Sequence, residues 1–268
     1  MLYDTHCHPN LSKQKKGEDI IKNFRRENPK GFLNIIWNDI KSCEQVIKLA
    51  KKYDFVSCSV WIHPTDTIKD RNNIKEIVQK LEKYIIDDKK NIIAIWECWL
   101  DYYRINSLKK QFNLSEEKIK GIQKDFFIAQ ITLAKKHNLP VIIHNRESKE
   151  DILSILIKTW YKNFIFHCYS ENLEYAKKLL DFSPNCKISF SWIVTFKNAK
   201  DVINTAKNIP LKNIVVETDS PYLTPEPLRW KEENEPKFTK YILDKIIEIR
   251  DEDKDTIKNQ IFKNSFFI

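Results

Sequence analysis

The chain has 268 residues, 42% hydrophobic and 31% charged, with 46 Lys+Arg against 37 Asp+Glu and a formal net charge of +9. That length suits one large α/β barrel or two small domains, and no apolar run approaches the roughly 18 residues a membrane helix needs. The lysines are spread along the chain, so the positive charge permits a polyanionic partner without identifying one.

The start lacks a basic segment followed by an apolar one, so no signal peptide is expected. Six cysteines (Cys7, Cys43, Cys58, Cys98, Cys168 and Cys186) form no C-x-x-C pair. They are expected as thiols in a reducing, cytoplasmic setting.

In chain order, Met1-Leu2-Tyr3 leads into Asp4-Thr5-His6-Cys7-His8, which reads as the end of a first strand. Further strands are predicted at 31–36, 55–60, 91–95, 140–143, 164–166, 187–190 and 213–216. Each is short and rich in β-branched residues, as strands buried on both faces are. Helical patterns lie between them, at 42–52, 121–137, 172–180 and 237–248. The polar stretch 104–120 reads as a solvated surface insertion. Eight strand–helix units in one chain predict a single (β/α)₈ TIM barrel over residues 1–268, with a monomer expected.

The reactive residues fall at strand ends. Residues two apart on a strand point to one side, so His6 and His8 aim together while Cys7 faces away. His63 follows the third strand, Glu97 and Asp101 the fourth, His144 and Arg146 the fifth, His167 the sixth and Asp219 the eighth. Five of the six histidines thus sit at strand C-terminal ends; His137 closes a helix and reads as structural. A barrel gathers those ends on one face. His6, His8, Glu97, His144, His167 and Asp219 are therefore expected to converge. Four imidazoles and two carboxylates suit two divalent cations better than one. The ligands are oxygen and nitrogen, which leaves Mg²⁺, Mn²⁺ and Zn²⁺ open.

Seven blocks carry a family resemblance: D-T-H-C-H, I-H-P, E-x-x-L-D-Y-Y, P-V-I-I-H-x-R, I-F-H-C-Y-S, S-F-S-x-I-V-T-F-K-N-A and E-T-D-S-P-Y-L-x-P. Over nearly its whole length the chain resembles the TatD family of metal-dependent deoxyribonucleases. The resemblance implies one cation on His6, His8, Glu97 and Asp219, and another on Glu97, His144 and His167. It implies Asp219 as the residue that takes a proton from the attacking water. Asp4 and Asp101 would orient the ligands, His63 would lie on the phosphate side, and Arg146 and Arg229 would contact substrate phosphates. The implied substrate is DNA, taken at single-stranded ends. Two rival readings are a barrel hydrolase acting on another ester or amide, and a nucleic-acid-binding relative without turnover.

The chain departs from that family in its tryptophans. There are 7 of them and only 3 glycines, where glycine normally makes up roughly 7% of residues. Trp61, Trp96, Trp99, Trp192 and Trp230 stand where the resembling sequences carry glycine, and Trp37 and Trp160 sit where a glycine would suit a strand end or turn. The pattern is what UGA codons read as glycine in the cell, but translated as tryptophan, would leave. Glu171 also replaces a family glycine, and codon usage does not explain it.

Overall fold

Each predicted strand forms, and all are joined in one parallel sheet in the order β1 to β8. The structure is a computed structural model. It describes residues 1–36, 40–60, 68–69 and 71–267, without the side chains of 40–42, 97–99 and 267. The strands are β1 (Tyr3–Cys7), β2 (Phe32–Ile36), β3 (Val56–Val60), β4 (Ile92–Asp101), β5 (Val141–Arg146), β6 (Phe164–Phe166), β7 (Lys187–Phe190) and β8 (Ile214–Val216). Among the described residues the helices are α1 (Gly17–Glu27), α2 (Ile40–Lys52), α3 (Ile74–Asp87), α4 (Ile105–Phe112), α5 (Glu116–His137), α6 (Lys149–Thr159), α7 (Leu173–Phe182), α8 (Lys200–Asn208), α9 (Thr239–Ile249) and α10 (Lys254–Asn264). None is long and apolar enough to cross a membrane.

The strands divide the apolar residues by parity. Ile36, Ala94, Trp96, Ile142, Ile165 and Val215 form one buried cluster inside the barrel. Their neighbours Ile35, Ile95, Val141, Ile143, Phe164, Phe166, Ile214 and Val216 belong to a second cluster, beneath the helices. Alternation of period two, with both sides apolar, is why these strands read as continuous hydrophobic runs. Helices supply the outer wall: α1, for example, buries Ile20, Ile21 and Phe24.

The barrel closes where β1 meets the chain after β8. Asp219 N donates to the carbonyl of His6 at 2.9 Å, and His8 N to that of Ser220 at 2.7 Å. Thr5 Oγ1 donates to the Val216 carbonyl at 3.0 Å. The Asp4 carboxylate accepts from Thr218 N at 2.9 Å and Thr218 Oγ1 at 2.5 Å. These bonds bring the two ends of the chain together at the strand C-terminal face.

Two readings are corrected. Stretch 104–120 is not a solvated loop. It contains α4, which buries Ile105 and Leu108, and the first turn of α5, capped by Ser115 accepting from Lys118 N. Strand β4 runs on past residue 95 to Asp101, because it stays paired with β5 as far as Asp101 and Arg146, with a register shift between Trp96 and Cys98. Such a bulge inserts one extra residue and re-aims the side chains beyond it.

Candidate metal centre

In β5, β6 and β8 the inward parity continues past the last apolar residue into an imidazole or a carboxylate. Ile142 is followed two residues on by His144, Ile165 by His167, and Val215 by Glu217 and then Asp219. His6 and His8 are delivered by β1 and the residue beyond it.

The structure brings five of the expected ligands together. His6 Nε2 lies 3.0 Å from His8 Nε2. Asp219 Oδ1 lies 3.4 Å from His6 Nε2 and 3.6 Å from His8 Nε2. Ligand atoms of His6, His167 and Asp219 all fall within 4.8 Å of one another. The His6 and His167 rings stack at 3.7 Å, and the His144 ring is 5.7 Å from that of His167. Glu97 is placed by its backbone at the β4 bulge; its side chain, and all of His63, lie outside the described residues.

Burial, followed by the three neighbouring imidazoles, holds His6 well below the usual histidine range. Burial and His167 lower His144 to about 3. Both rings are therefore neutral at pH 7, the form that binds metal. His6 Nδ1 and His8 Nδ1 have no hydrogen-bond partner. Neutral, buried imidazoles around a carboxylate fit a divalent cation, and no positive side chain among the described residues occupies the point where their ligand atoms meet.

Glu217 opens the E-T-D-S-P-Y block but receives no role in the sequence reading, although parity from Val215 finds it. Its carboxylate is fully buried. Oε1 lies 2.7 Å from His167 Nδ1 and accepts from Cys168 N at 2.8 Å, while Oε2 accepts from Ser189 Oγ at 2.5 Å. It sits behind His167 and leaves the other ring nitrogen to face the centre, which is how carboxylates set the tautomer of a ligating histidine.

The remaining expected residues divide. Asp4 does not touch an imidazole nitrogen; it accepts from the backbone N of His6 at 3.2 Å and from Thr218, so it positions the His6 backbone. Burial raises its pKa to about 8 against the pull of those hydrogen bonds. Asp101 is buried, and burial raises its pKa too. It accepts from Arg104 N at 3.2 Å and lies 3.5 Å from Arg104 Nε. It therefore orients Arg104, a residue that no sequence motif marks. Arg146 stacks on Tyr103, its guanidinium 3.8 Å from the ring centre. Arg229 lies apart from this group, over Phe196 at 3.8 Å, in a neighbouring depression with Gln14, Thr224 and Trp230.

A cleft of ≈ 430 Å³ opens over the centre. His8, His144, His167 and Asp219 line its floor, and Arg104 and Arg146 its rim. A larger cavity of ≈ 660 Å³ opens at the other end of the barrel, beside Ile92, Pro140 and Asn163, and holds no imidazole or carboxylate. In a (β/α)₈ barrel chemistry belongs to the first of these faces.

Comparison with known proteins agrees with this arrangement. The family model described as TatD related DNase matches residues 3–267. The chain is 32% identical over 254 residues to the uncharacterized metal-dependent hydrolase YabD of Bacillus subtilis, covering 94% of this chain and 92% of that one. It is 33% identical over 272 residues to the uncharacterized metal-dependent hydrolase MG009 of Mycoplasma genitalium, covering 98% and 97%. The fold matches the crystal structure of YJJV, a TatD homolog from Escherichia coli, with a TM-score of 0.84 at 19% identity over 99% of this chain and 96% of that one. A TatD family hydrolase of Entamoeba histolytica gives 0.81 at 18% identity, with 99% and 96% covered. With the family matched along nearly its entire length and the histidine-rich centre at the expected end of the barrel, the chain belongs to the TatD-related DNase family of metal-dependent hydrolases.

Proposed function

We propose that the chain hydrolyses phosphodiester bonds in DNA, with two divalent cations, Mg²⁺, Mn²⁺ or Zn²⁺, as cofactors. The observation that carries this reading is the pairing of a histidine-rich floor with an arginine rim in one cleft. His6, His8, Glu97 and Asp219 would hold one cation; Glu97, His144 and His167 would hold the other. When bound, the cations would offset phosphate charge and acidify a water. Arg146 and Arg104 supply paired donors to the non-bridging phosphate oxygens. Tyr103 holds Arg146 flat, and Asp101 holds Arg104, so both guanidinium groups are oriented before substrate arrives. Asp219 accepts the proton of the attacking water at its carboxylate, and Glu217 keeps His167 in one orientation while this happens. The substrate end is a single strand, and the protein acts as a cytoplasmic monomer.

The test is release of nucleotides from single-stranded DNA with each of the three metals and with chelator. Metal-dependent release that Asp219→Asn abolishes supports the reading. Absence of release with all three metals, alongside turnover of a small ester or amide, transfers the site to another hydrolytic substrate.

A further inference from the structure

The backbone uses the left-handed region at seven described residues: Asn113, Asn138, Glu147, Trp160, Cys168, Asp219 and Trp230. None is glycine, the residue that occupies this region freely. Yet the chain does use glycine where space demands it: a Cβ on Gly31 would meet the Phe24 ring at 2.8 Å, and one on Gly17 the Asn10 side chain at 1.9 Å. Gly121, inside α5, has open space where a Cβ would stand. Among the described residues, two of the three glycines thus serve close approach, and none occupies a left-handed turn.

Three helices end alike. α4, α5 and α6 each stop at a left-handed residue: Asn113 at φ 52°, Asn138 at φ 54° and Trp160 at φ 51°. Asparagine tolerates this cap; a bulky side chain there is an outlier. Trp160 is 66% exposed, with its ring edge-on to Phe182 at 5.9 Å and Lys162 over it, and Trp230, at φ 67°, is 82% exposed. In both places a large side chain bears backbone strain for little burial.

Indoles inside the barrel show the converse fault. Trp96 is fully buried, and its ring centre lies 3.6 Å from that of His6 in an edge-on arrangement. Edge-on aromatic pairs ordinarily keep roughly 4.5–7 Å. The His167 ring sits against the same indole at 4.7 Å. Trp192, on the wall of the cleft, buries Nε1 without a hydrogen-bond partner, although a buried indole N–H normally has one.

One substitution removes all four faults. We infer that Trp96, Trp160, Trp192 and Trp230 stand at positions that are glycine in the protein as its own cell makes it, the codon UGA being read there as glycine. Trp37, Trp61 and Trp99 follow by the same codon. Glycine at 160 and 230 relieves the left-handed strain. At 192 it deletes a buried donor. At 96 it returns the volume of an indole to the chamber beside His6, where the ligand atoms need room for a cation.

Two measurements decide it. The first is peptide mass spectrometry of the protein isolated from its source cells. Peptides spanning 96, 160, 192 and 230 are expected at glycine masses; tryptophan masses overturn the inference. The second compares recombinant Trp160→Gly with Trp160→Ala, and Trp230→Gly with Trp230→Ala, by urea unfolding. Alanine removes the indole but keeps the strain, so each glycine variant should hold a folding equilibrium about three- to tenfold further toward the native state than its alanine partner. Equal stability of glycine and alanine at both positions overturns the inference as well. Neither readout depends on the substrate or on any catalytic activity.

Discussion

Replacing Glu217 by glutamine tests whether His167 is held by charge or only by packing. The side chains have the same shape, and the hydrogen bonds allow the exchange. Oε1 takes both the Cys168 N–H and the His167 contact, so the amide oxygen must stay there. The NH₂ group then replaces Oε2 and faces Ser189 Oγ, a hydroxyl that can turn to accept. Glu217→Gln should therefore fold, costing no more than about 1.5 kcal/mol. What it loses is the negative charge behind His167. Carboxylates in this position typically change metal affinity or activity about 10–100-fold, so Mn²⁺ or Zn²⁺ affinity should fall by that factor. Glu217→Ala strips a buried N–H and a buried imidazole of their acceptor at once, and should destabilise the protein by about 3–5 kcal/mol. Competition with a metallochromic chelator measures the first effect and urea unfolding the second. A folded glutamine variant with metal affinity within threefold of the parent would refute the role given to Glu217.

Asp4, which burial holds at about 8, takes up its proton over the same range and offsets the imidazoles, so the acid response is read in an Asp4→Asn background. There the metal-free protein should lose stability as pH falls below 6.5: His6 and His144 have depressed folded-state pKa values, so their contribution is whole above the ordinary value of 6.5 and drains away as pH falls toward about 3 for His144, each with a slope of about 1.4 kcal/mol per pH unit. A urea midpoint of that variant that stays flat from pH 7 to pH 5 would exclude it. Asp4→Ala removes the acceptor for Thr218 N, Thr218 Oγ1 and His6 N, and should lower unfolding free energy by about 3–5 kcal/mol; an unchanged melting curve would show that Asp4 does not close the barrel. Arg146→Met keeps most of the apolar stem over Tyr103 but deletes the charge. It should raise KM for single-stranded DNA about tenfold or more with kcat little changed, and an unaltered KM would place the phosphate elsewhere.

Much of this site is legible in the sequence because two periodicities coincide. Strands buried on both faces alternate with a period of two, and in β5, β6 and β8 the last inward apolar residue precedes His144, His167 or Glu217 by two positions. Whoever finds Ile142, Ile165 and Val215 pointing inward has found the next inward residue too. The same rule fails at β4, where the register slips between Trp96 and Cys98. Simple alternation from Ala94 and Trp96 would send Cys98 inward and Glu97 outward, and the register shift breaks that alternation in the backbone. A bulge leaves no mark in residue type, so Glu97 is reached through its place at a strand end and not through parity.

The loops are illegible for another reason. Arg104 sits in a polar stretch that reads as solvated loop, yet Asp101, buried beside it, accepts from its backbone N–H and faces its guanidinium. Such pairing belongs to tertiary structure, since neither residue is unusual alone. Arg229 shows the reverse. Its charge and position suggest phosphate, but its guanidinium is committed to the face of Phe196 in a depression beside the cleft. Charge tells which side chains are able to bind an anion. The aromatic rings beneath them, Tyr103 and Phe196, decide which one is presented to the metal centre, and those contacts exist only once β4, the helix after it and the segment after β7 have been brought to the same end of the barrel.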